Sequence, residues 1–269
     1  MTHNGLMSRD WPSTVRVPIR CSPLLLAAIM VSCADAQTDG PPKEPRVKVA
    51  DEIFDFGFVP QKSLVSHVFW LKNTGGQTLE IKKLLPNCGC TEAPLEQRDA
   101  APGDSIRAEI AFGSGLFHGR VRKFIQVESN AAGRVPALTF TAAVVADSEK
   151  TGPIVLMPRA LNLDDLHPDS TVNGWRTDVS LRNGSRSQVE ISVISRPDRQ
   201  VSADDFSGKL APGEERKISL RFEPGLPDQV FSKSVTFEAT GPDTVRVTLP
   251  VFKTRPWGAN PVVDDPKHR

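Results

Sequence analysis

Val65-Ser66-His67-Val68-Phe69-Trp70-Leu71-Lys72-Asn73-Thr74-Gly75-Gly76 is the stretch whose reading decides the fold. Val65, His67, Phe69 and Leu71 fall on one face, with Ser66, Val68, Trp70 and Lys72 opposite. That period of two marks a half-buried strand. The Asn-Thr-Gly-Gly that follows closes it in a turn, where glycine adopts positive φ without a Cβ clash.

Reading outward, the same texture continues on both sides. Upstream, Val47 and Val49, then Ile53, Phe54, Phe56 and Phe58, alternate with polar or small residues until Val59-Pro60-Gln61-Lys62-Ser63 breaks the run. Downstream, Leu79 and Ile81 open another strand. Ala101-Pro102-Gly103-Asp104 places Pro and then Gly at the centre of a turn, the type II arrangement. Ile106, Ala108, Ile110 and Phe112 alternate next, then Val121, Lys123, Ile125 and Val127, and the run Leu138 to Ala142 gives the last strand. About seven short strands in roughly one hundred residues, with turn signals between them, predict a β-sandwich. Twenty-three prolines and nineteen glycines agree with an all-β chain rich in turns. With 39% hydrophobic and 24% charged residues the chain belongs with folded globular proteins rather than disordered ones. It has no tyrosine, which excludes a tyrosine corner and any tyrosine acid, base or nucleophile.

A second set of blocks repeats the first at one offset. Leu71-Lys72-Asn73 recurs as Leu181-Arg182-Asn183, and Ala101-Pro102-Gly103-Asp104 recurs as Ala211-Pro212-Gly213-Glu214. Ala108, Ile110 and Phe112 map onto Ile218, Leu220 and Phe222, while Val121, Lys123, Ile125 and Val127 map onto Phe231, Lys233, Val235 and Phe237. The expected body is therefore two tandem sandwiches, 46–147 and 152–254, joined by Asp147-Ser148-Glu149-Lys150-Thr151-Gly152. A polar linker, 37–45, precedes them and a mobile polar tail, 255–269, follows.

Residues 1–36 read as a signal segment. Arg9, Arg16 and Arg20 precede an apolar run from Pro23 to Val31, too short to span a bilayer as a helix but suited to secretion. Two processing routes stand open. Ala34-Asp35-Ala36 fits ordinary cleavage, and Met30-Val31-Ser32-Cys33 fits a lipobox that would lipidate Cys33. The expected location is the periplasm or cell envelope, with membrane attachment only through that lipid. Removing residues 1–33 takes a formal +1 chain to about −1. Such a body has no electrostatic footprint for nucleic acid. The short basic clusters Lys82-Lys83 and Arg120-x-Arg122-Lys123 read as solvated strand edges.

Cys88-Gly89-Cys90-Thr91 concentrates what unusual chemistry the body has, since Cys21 and Cys33 lie in the leader. Four readings stand: a turn packed with small thiols, a disulfide across one glycine, a soft-ion site such as Cu(I) held by Cys88 and Cys90, and a covalent bridge to a partner. At the common offset the second sandwich has Asp198 and Gln200 instead, so the cysteines are not a packing requirement of the fold. His67 reads as a half-buried core residue and His118 as an exposed turn residue. Gly113-Ser114-Gly115 lacks the spacing of a nucleophile elbow, and Asp164-Asp165, Asp204-Asp205 and Asp264-Asp265 read as solvated pairs. No catalytic residue and no cofactor follow from these patterns.

Phe54-Asp55-Phe56-Gly57, His67-x-Phe69-x-Leu71-Lys72-Asn73-Thr74-Gly75, Cys88-Gly89-Cys90-Thr91 and Ala101-Pro102-Gly103, in that order, resemble domain of unknown function 1573, an exported bacterial Ig-like family. The resemblance covers roughly a third of the chain. It implies an Ig-like sandwich akin to the ASH and major-sperm-protein interaction modules, and no established activity. The second half resembles a diverged sandwich of the same kind without the Cys-Gly-Cys-Thr element. The expected function is a non-catalytic interaction or scaffold protein of the cell envelope with a protein partner. The alternative is a thiol redox or Cu(I) protein working through Cys88 and Cys90.

Overall fold

A computed structural model describes residues 43–146, 152–165, 175–196, 201–203, 207–222 and 231–254. The signal segment, Cys33, Asp198, Gln200 and the tail lie outside them.

The first half contributes nine strands: β1 (Val47–Val49), β2 (Ile53–Pro60), β3 (Leu64–Asn73), β4 (Leu79–Pro86), β5 (Thr91–Glu92), β6 (Asp99–Ala100), β7 (Ser105–Gly113), β8 (Gly119–Ser129) and β9 (Leu138–Val145). The second contributes β10 (Ile154–Met157), β11 (Leu161–Asn162), β12 (Trp175–Asn183), β13 (Val189–Ser195), β14 (Val201–Ala203), β15 (Gly208–Leu210), β16 (Glu215–Phe222), β17 (Phe231–Thr240) and β18 (Thr244–Lys253). Among the described residues a single 3-10 turn, Leu163–Asp165, interrupts this all-β order.

Each half builds a small sheet of its own, β1-β3-β7-β5 in the first and β10-β12-β16-β14 in the second. The opposing layer is shared. A ten-stranded sheet runs β15-β13-β17-β18-β2-β9-β8-β4-β6, with β11 beside β18, and so crosses from one half to the other. The two small sheets cover it on two separate apolar cores. One core is drawn from Val49 to Val144 and includes Phe56, Phe69, Phe112 and Phe140. The other is drawn from Ile154 to Val251 and includes Leu181, Leu220 and Phe237. The period of two in β3 explains its place: Val65, Phe69 and Leu71 are buried while Trp70 and Lys72 face solvent.

The offset between the halves is reproduced hydrogen bond by hydrogen bond. Asn73 is fully buried, its Nδ2 donating to the carbonyls of Gln77 (2.8 Å) and Ala100 (3.0 Å) while its Oδ1 accepts from Gly75 N (2.9 Å). Asn183 is fully buried and does the same with Ser187 (2.8 Å), Leu210 (3.0 Å) and Ser185 N (2.9 Å). The turns that follow match too: Asp104 N donates to Ala101 O and Glu214 N to Ala211 O, each at 3.0 Å. Gly103 (φ 89°) and Gly213 (φ 77°) occupy the left-handed position that a type II turn requires.

One expectation from periodicity fails at β2. Phe54 and Phe56 point into the first core as the alternation requires, but Phe58 packs against the second core. The cause is a bulge: the β2–β9 register shifts between Asp55 and Phe58, and Gly57 takes φ 64°. A Cβ on Gly57 would lie 2.1 Å from the carbonyl oxygen of Arg246, so only glycine lets β18 approach β2. There the two strands pair in parallel, Val247 opposite Phe58. Ser66, expected on a solvated face, is buried where β3 meets β17: its N–H donates to Ser234 Oγ (3.0 Å), whose hydroxyl donates back to Ser66 O (2.9 Å).

Candidate functional site

β4 ends at Pro86, and the chain crosses from the long sheet to the small one through Asn87-Cys88-Gly89-Cys90. Asn87 anchors the departure: its N–H donates to Phe124 O (3.0 Å) and its Oδ1 accepts from Phe124 N (3.2 Å). The arrival is anchored by Gly113 N, which donates to Cys90 O (2.9 Å), and by β5, whose Thr91 pairs with Phe112. Cys88 and Cys90 are joined by a disulfide across Gly89, with Cα atoms 5.3 Å apart, inside the usual window for such bonds. Thr91 is buried, and its Oγ1 lies 3.5 Å from Cys88 Sγ and 3.9 Å from Cys90 Sγ. Disulfide sulfur carries no proton, so the threonine hydroxyl is the donor in both contacts. Cys88 and Cys90 are half-buried and Gly89 is exposed, so the bond lies at the surface with its inner side on the core.

Of the four sequence readings, the disulfide describes this geometry. Soft-ion ligation needs both sulfurs as thiolates, and the bonded pair supplies none until it is reduced. Among the described residues no group of three or more His, Cys, Asp or Glu side chains is arranged to hold a metal ion.

Two neighbouring turns complete this end of the first sandwich. In the β7–β8 turn, Ser114 is fully buried; its hydroxyl lies 2.7 Å from Pro60 O and 3.1 Å from Ser63 O and accepts from Ser63 N at 2.9 Å. That hydroxyl ties two turns together and is not presented as a nucleophile. Gln61 Nε2 donates to Phe117 O (2.8 Å) and Lys62 N to Gly115 O (2.8 Å). On the segments next to the disulfide loop, the end of β4, β8 and the β7–β8 turn, large apolar side chains are left in solvent: Leu116 is 78% exposed, Phe124 40%, Leu85 38% and Phe117 37%. Leu85 and Phe124 share the outer face of the long sheet, because Leu85 lies opposite Gln126, two residues from Phe124.

His67 is placed at the seam between the halves rather than at this end. Its ring stacks on Phe54 with centroids 3.5 Å apart and stands edge-on to Phe69 at 4.8 Å. Its Nδ1 lies 2.9 Å from Ser195 Oγ, in the second half. Burial, followed by the positive charge of Arg246, lowers its pKa from 6.5 to about 4, so it is neutral at physiological pH. The seam also holds an ion pair between Lys233 and Glu109, the latter bound by Arg107 as well (2.9 Å). His118 is exposed, as its turn predicts. Asp164 accepts from Thr254 N at 3.1 Å in an exposed hydrogen bond. Sequence periodicity carried no sign of the seam contacts, since each partner lies more than a hundred residues from the other.

The fold and this site define an all-β, Ig-like two-sandwich protein whose first sandwich carries a short disulfide loop. Residues 47–144 match the family described as "Protein of unknown function (DUF1573)", in agreement with the motifs of the first half; the second sandwich lies outside that match. No curated protein sequence matches the chain. Among solved structures, a protein of unknown function from Porphyromonas gingivalis W83 is similar at 11% identity and a TM-score of 0.31, covering 79% of this chain and 100% of that one. The ASH/PapD-like domain 7 of human CEP192 is similar at 12% identity and 0.29, covering 41% and 94%. The CupB2 chaperone of Pseudomonas aeruginosa is similar at 11% identity and 0.28, covering 76% and 98%. Among the described residues no helix is long and apolar enough to cross a membrane.

Proposed function

We propose that the protein is an exported, non-catalytic interaction or scaffold module of the bacterial cell envelope that docks a protein partner on the end of its first sandwich. The observation that carries this reading is the exposure of Leu85, Leu116, Phe117 and Phe124 on the segments that flank the Cys88–Cys90 loop. Four exposed large apolar side chains beside one cross-linked loop make a contact surface, because grouped exposure of this kind marks binding faces. The loop's anchors on Phe124, Gly113 and Phe112 hold that surface on rigid strands, which limits the ordering cost of docking. Export is supported by the basic and apolar leader and by the cysteine usage of the body.

The test is a photo-crosslinking residue introduced at position 116 in the living cell, with position 72 on the opposite sheet as control. A discrete protein adduct from 116, absent from 72 and lost when Leu85→Asp and Phe124→Asp are added, is the expected result. No adduct, or the same adducts from both positions, overturns the reading. Mass spectrometry of the mature protein decides between cleavage after Ala36 and lipidation of Cys33.

A second reading, thiol redox or Cu(I) chemistry at Cys88 and Cys90, is favoured by the surface position of their bond, open to small reductants over Gly89. Thiol counting through a graded reductant series, with Cu(I) competition on the reduced protein, tests it. A bond that resists cellular reductants, with no copper uptake after forced reduction, removes it.

A further inference from the structure

We propose that the outer face of the shared sheet carries a second binding site, a trough for an extended acidic segment of a polypeptide. The trough follows from cross-strand register. β9 turns Thr139, Thr141 and Ala143 outward, opposite Phe124, Arg122 and Arg120 of β8 on one side and Ile53, Asp55 and Phe58 of β2 on the other. A central strand of small side chains between two strands of larger ones leaves a furrow. Its walls stand about 10 Å apart, two strand spacings, the width of one extended chain.

Two adjoining cavities occupy this furrow. One, of about 460 Å³, is lined among others by Asp55, Arg120, Arg122, Thr141 and Arg246; the next, of about 440 Å³, by Glu52, Arg122, Arg134 and Thr139. Arg122 lines both. The charge balance along the furrow is positive. Arg246 is paired with Glu238 at 2.7 Å, whereas Arg120, Arg122 and Arg134 are exposed and form no ion pair among the described residues. The sequence reading of Arg120-x-Arg122 as a defended sheet edge accounts for part of this, since β8 runs past the end of β4 there. It does not account for the trough beside those arginines or for Arg134 and Arg246 lining the same furrow.

The spacing selects the ligand. Arg120 and Arg122 are two residues apart on one strand, so their side chains leave the sheet about 7 Å apart. Carboxylates on alternate residues of an extended peptide have the same pitch, and a guanidinium fork takes a carboxylate through two parallel hydrogen bonds. Asp55 adds a register mark. Its Oδ1 already accepts from Gly57 N (3.0 Å) and Thr141 Oγ1 (2.8 Å), which holds the carboxylate in the trough wall. A uniformly charged polyanion meets repulsion there, whereas a peptide with a neutral or basic residue between its acidic ones does not. Phe124 stands at the end of the trough and also borders the Cys88–Cys90 loop, but the arginines that define the trough belong to no part of the docking surface proposed there, so their charge reversal tests the trough alone.

The test uses the full mature chain and a short fluorescent peptide alternating glutamate and serine, read by anisotropy. Expected is binding that weakens with added salt and falls about tenfold in the R120E/R122E double variant, as losing two surface ion pairs and gaining repulsion implies. K82E/K83E makes the same charge change elsewhere and should leave binding as it was. If charge reversal disturbs folding by circular dichroism, R120A/R122A serves instead, with a smaller loss in the same direction. Equal loss in K82E/K83E, or no peptide binding at low salt, overturns the proposal. Tighter binding of polygalacturonate or of vesicles containing phosphatidylglycerol than of the peptide overturns the choice of a polypeptide ligand.

Discussion

Replacing His67 by Phe should remove an acid-labile part of the stability of the seam. The imidazole is stacked on Phe54, enclosed edge-on by Phe69, and tied through Nδ1 to Ser195 of the other half. Burial first, and the Arg246 charge second, lower its pKa from 6.5 to about 4. Between those values the unfolded chain binds a proton that the folded chain refuses. Stability is therefore complete above pH 6.5, falls as pH drops below it, and stops falling near pH 4. Across that window the loss attributable to His67 is about 3 kcal/mol. The Phe variant keeps the stack and loses the Ser195 hydrogen bond, a constant offset of about 1 kcal/mol at every pH. Urea unfolding of both proteins at stepped pH isolates the effect, because carboxylates that titrate in the same range cancel in the difference. The wild type should lose its advantage over the variant as pH falls, the difference converging and then reversing. Parallel curves for the two proteins from neutral pH to pH 4 would refute the assignment of a buried, neutral His67 at the seam.

Three further outcomes follow from named contacts. Gly57→Ala places a Cβ against the Arg246 carbonyl in a left-handed backbone; it should cost more than about 2 kcal/mol and speed hydrogen exchange in β18, as amide exchange mass spectrometry can measure. Asn73→Ala and Asn183→Ala each strand one buried N–H and two carbonyls, so each should lose about 2–4 kcal/mol in urea unfolding, by similar amounts if the two turns are equivalent. Cys88→Ser with Cys90→Ser opens a ring of only a few residues, so thermal unfolding should show a loss of no more than about 1–2 kcal/mol. A much larger loss would mean that the bond is a structural staple of the sandwich rather than a local clamp on the docking surface.

Much of this fold is legible residue by residue. The alternation in β3 and β7 puts Val65, Phe69, Ile106 and Ile110 inside without reference to anything distant. The Ala-Pro-Gly turns state their own backbone geometry, because only glycine sits easily at the left-handed position. The buried asparagines stand in matching sequence blocks, since a side chain that bonds the backbone two and four residues on is a local device. The candidate site was half legible: the cysteine pair marked the place, while the exposed apolar side chains on its flanking segments come from β4, β8 and the β7–β8 turn.

What the amino-acid order determined alone is thus whatever depends on neighbours along the chain: strand periodicity, turn type, the paired blocks and the position of the two cysteines. Tertiary structure decided the rest. It turned Phe58 from one core to the other through the Gly57 bulge, joined β18 to β2 in one sheet, buried Ser66 against Ser234, set the half-buried His67 against Ser195, and gathered four arginines along one furrow. Pairing between distant strands requires only that two backbones present complementary hydrogen-bonding edges, and every strand has those. Side-chain period therefore reports which face a strand buries, and not which strand lies beside it.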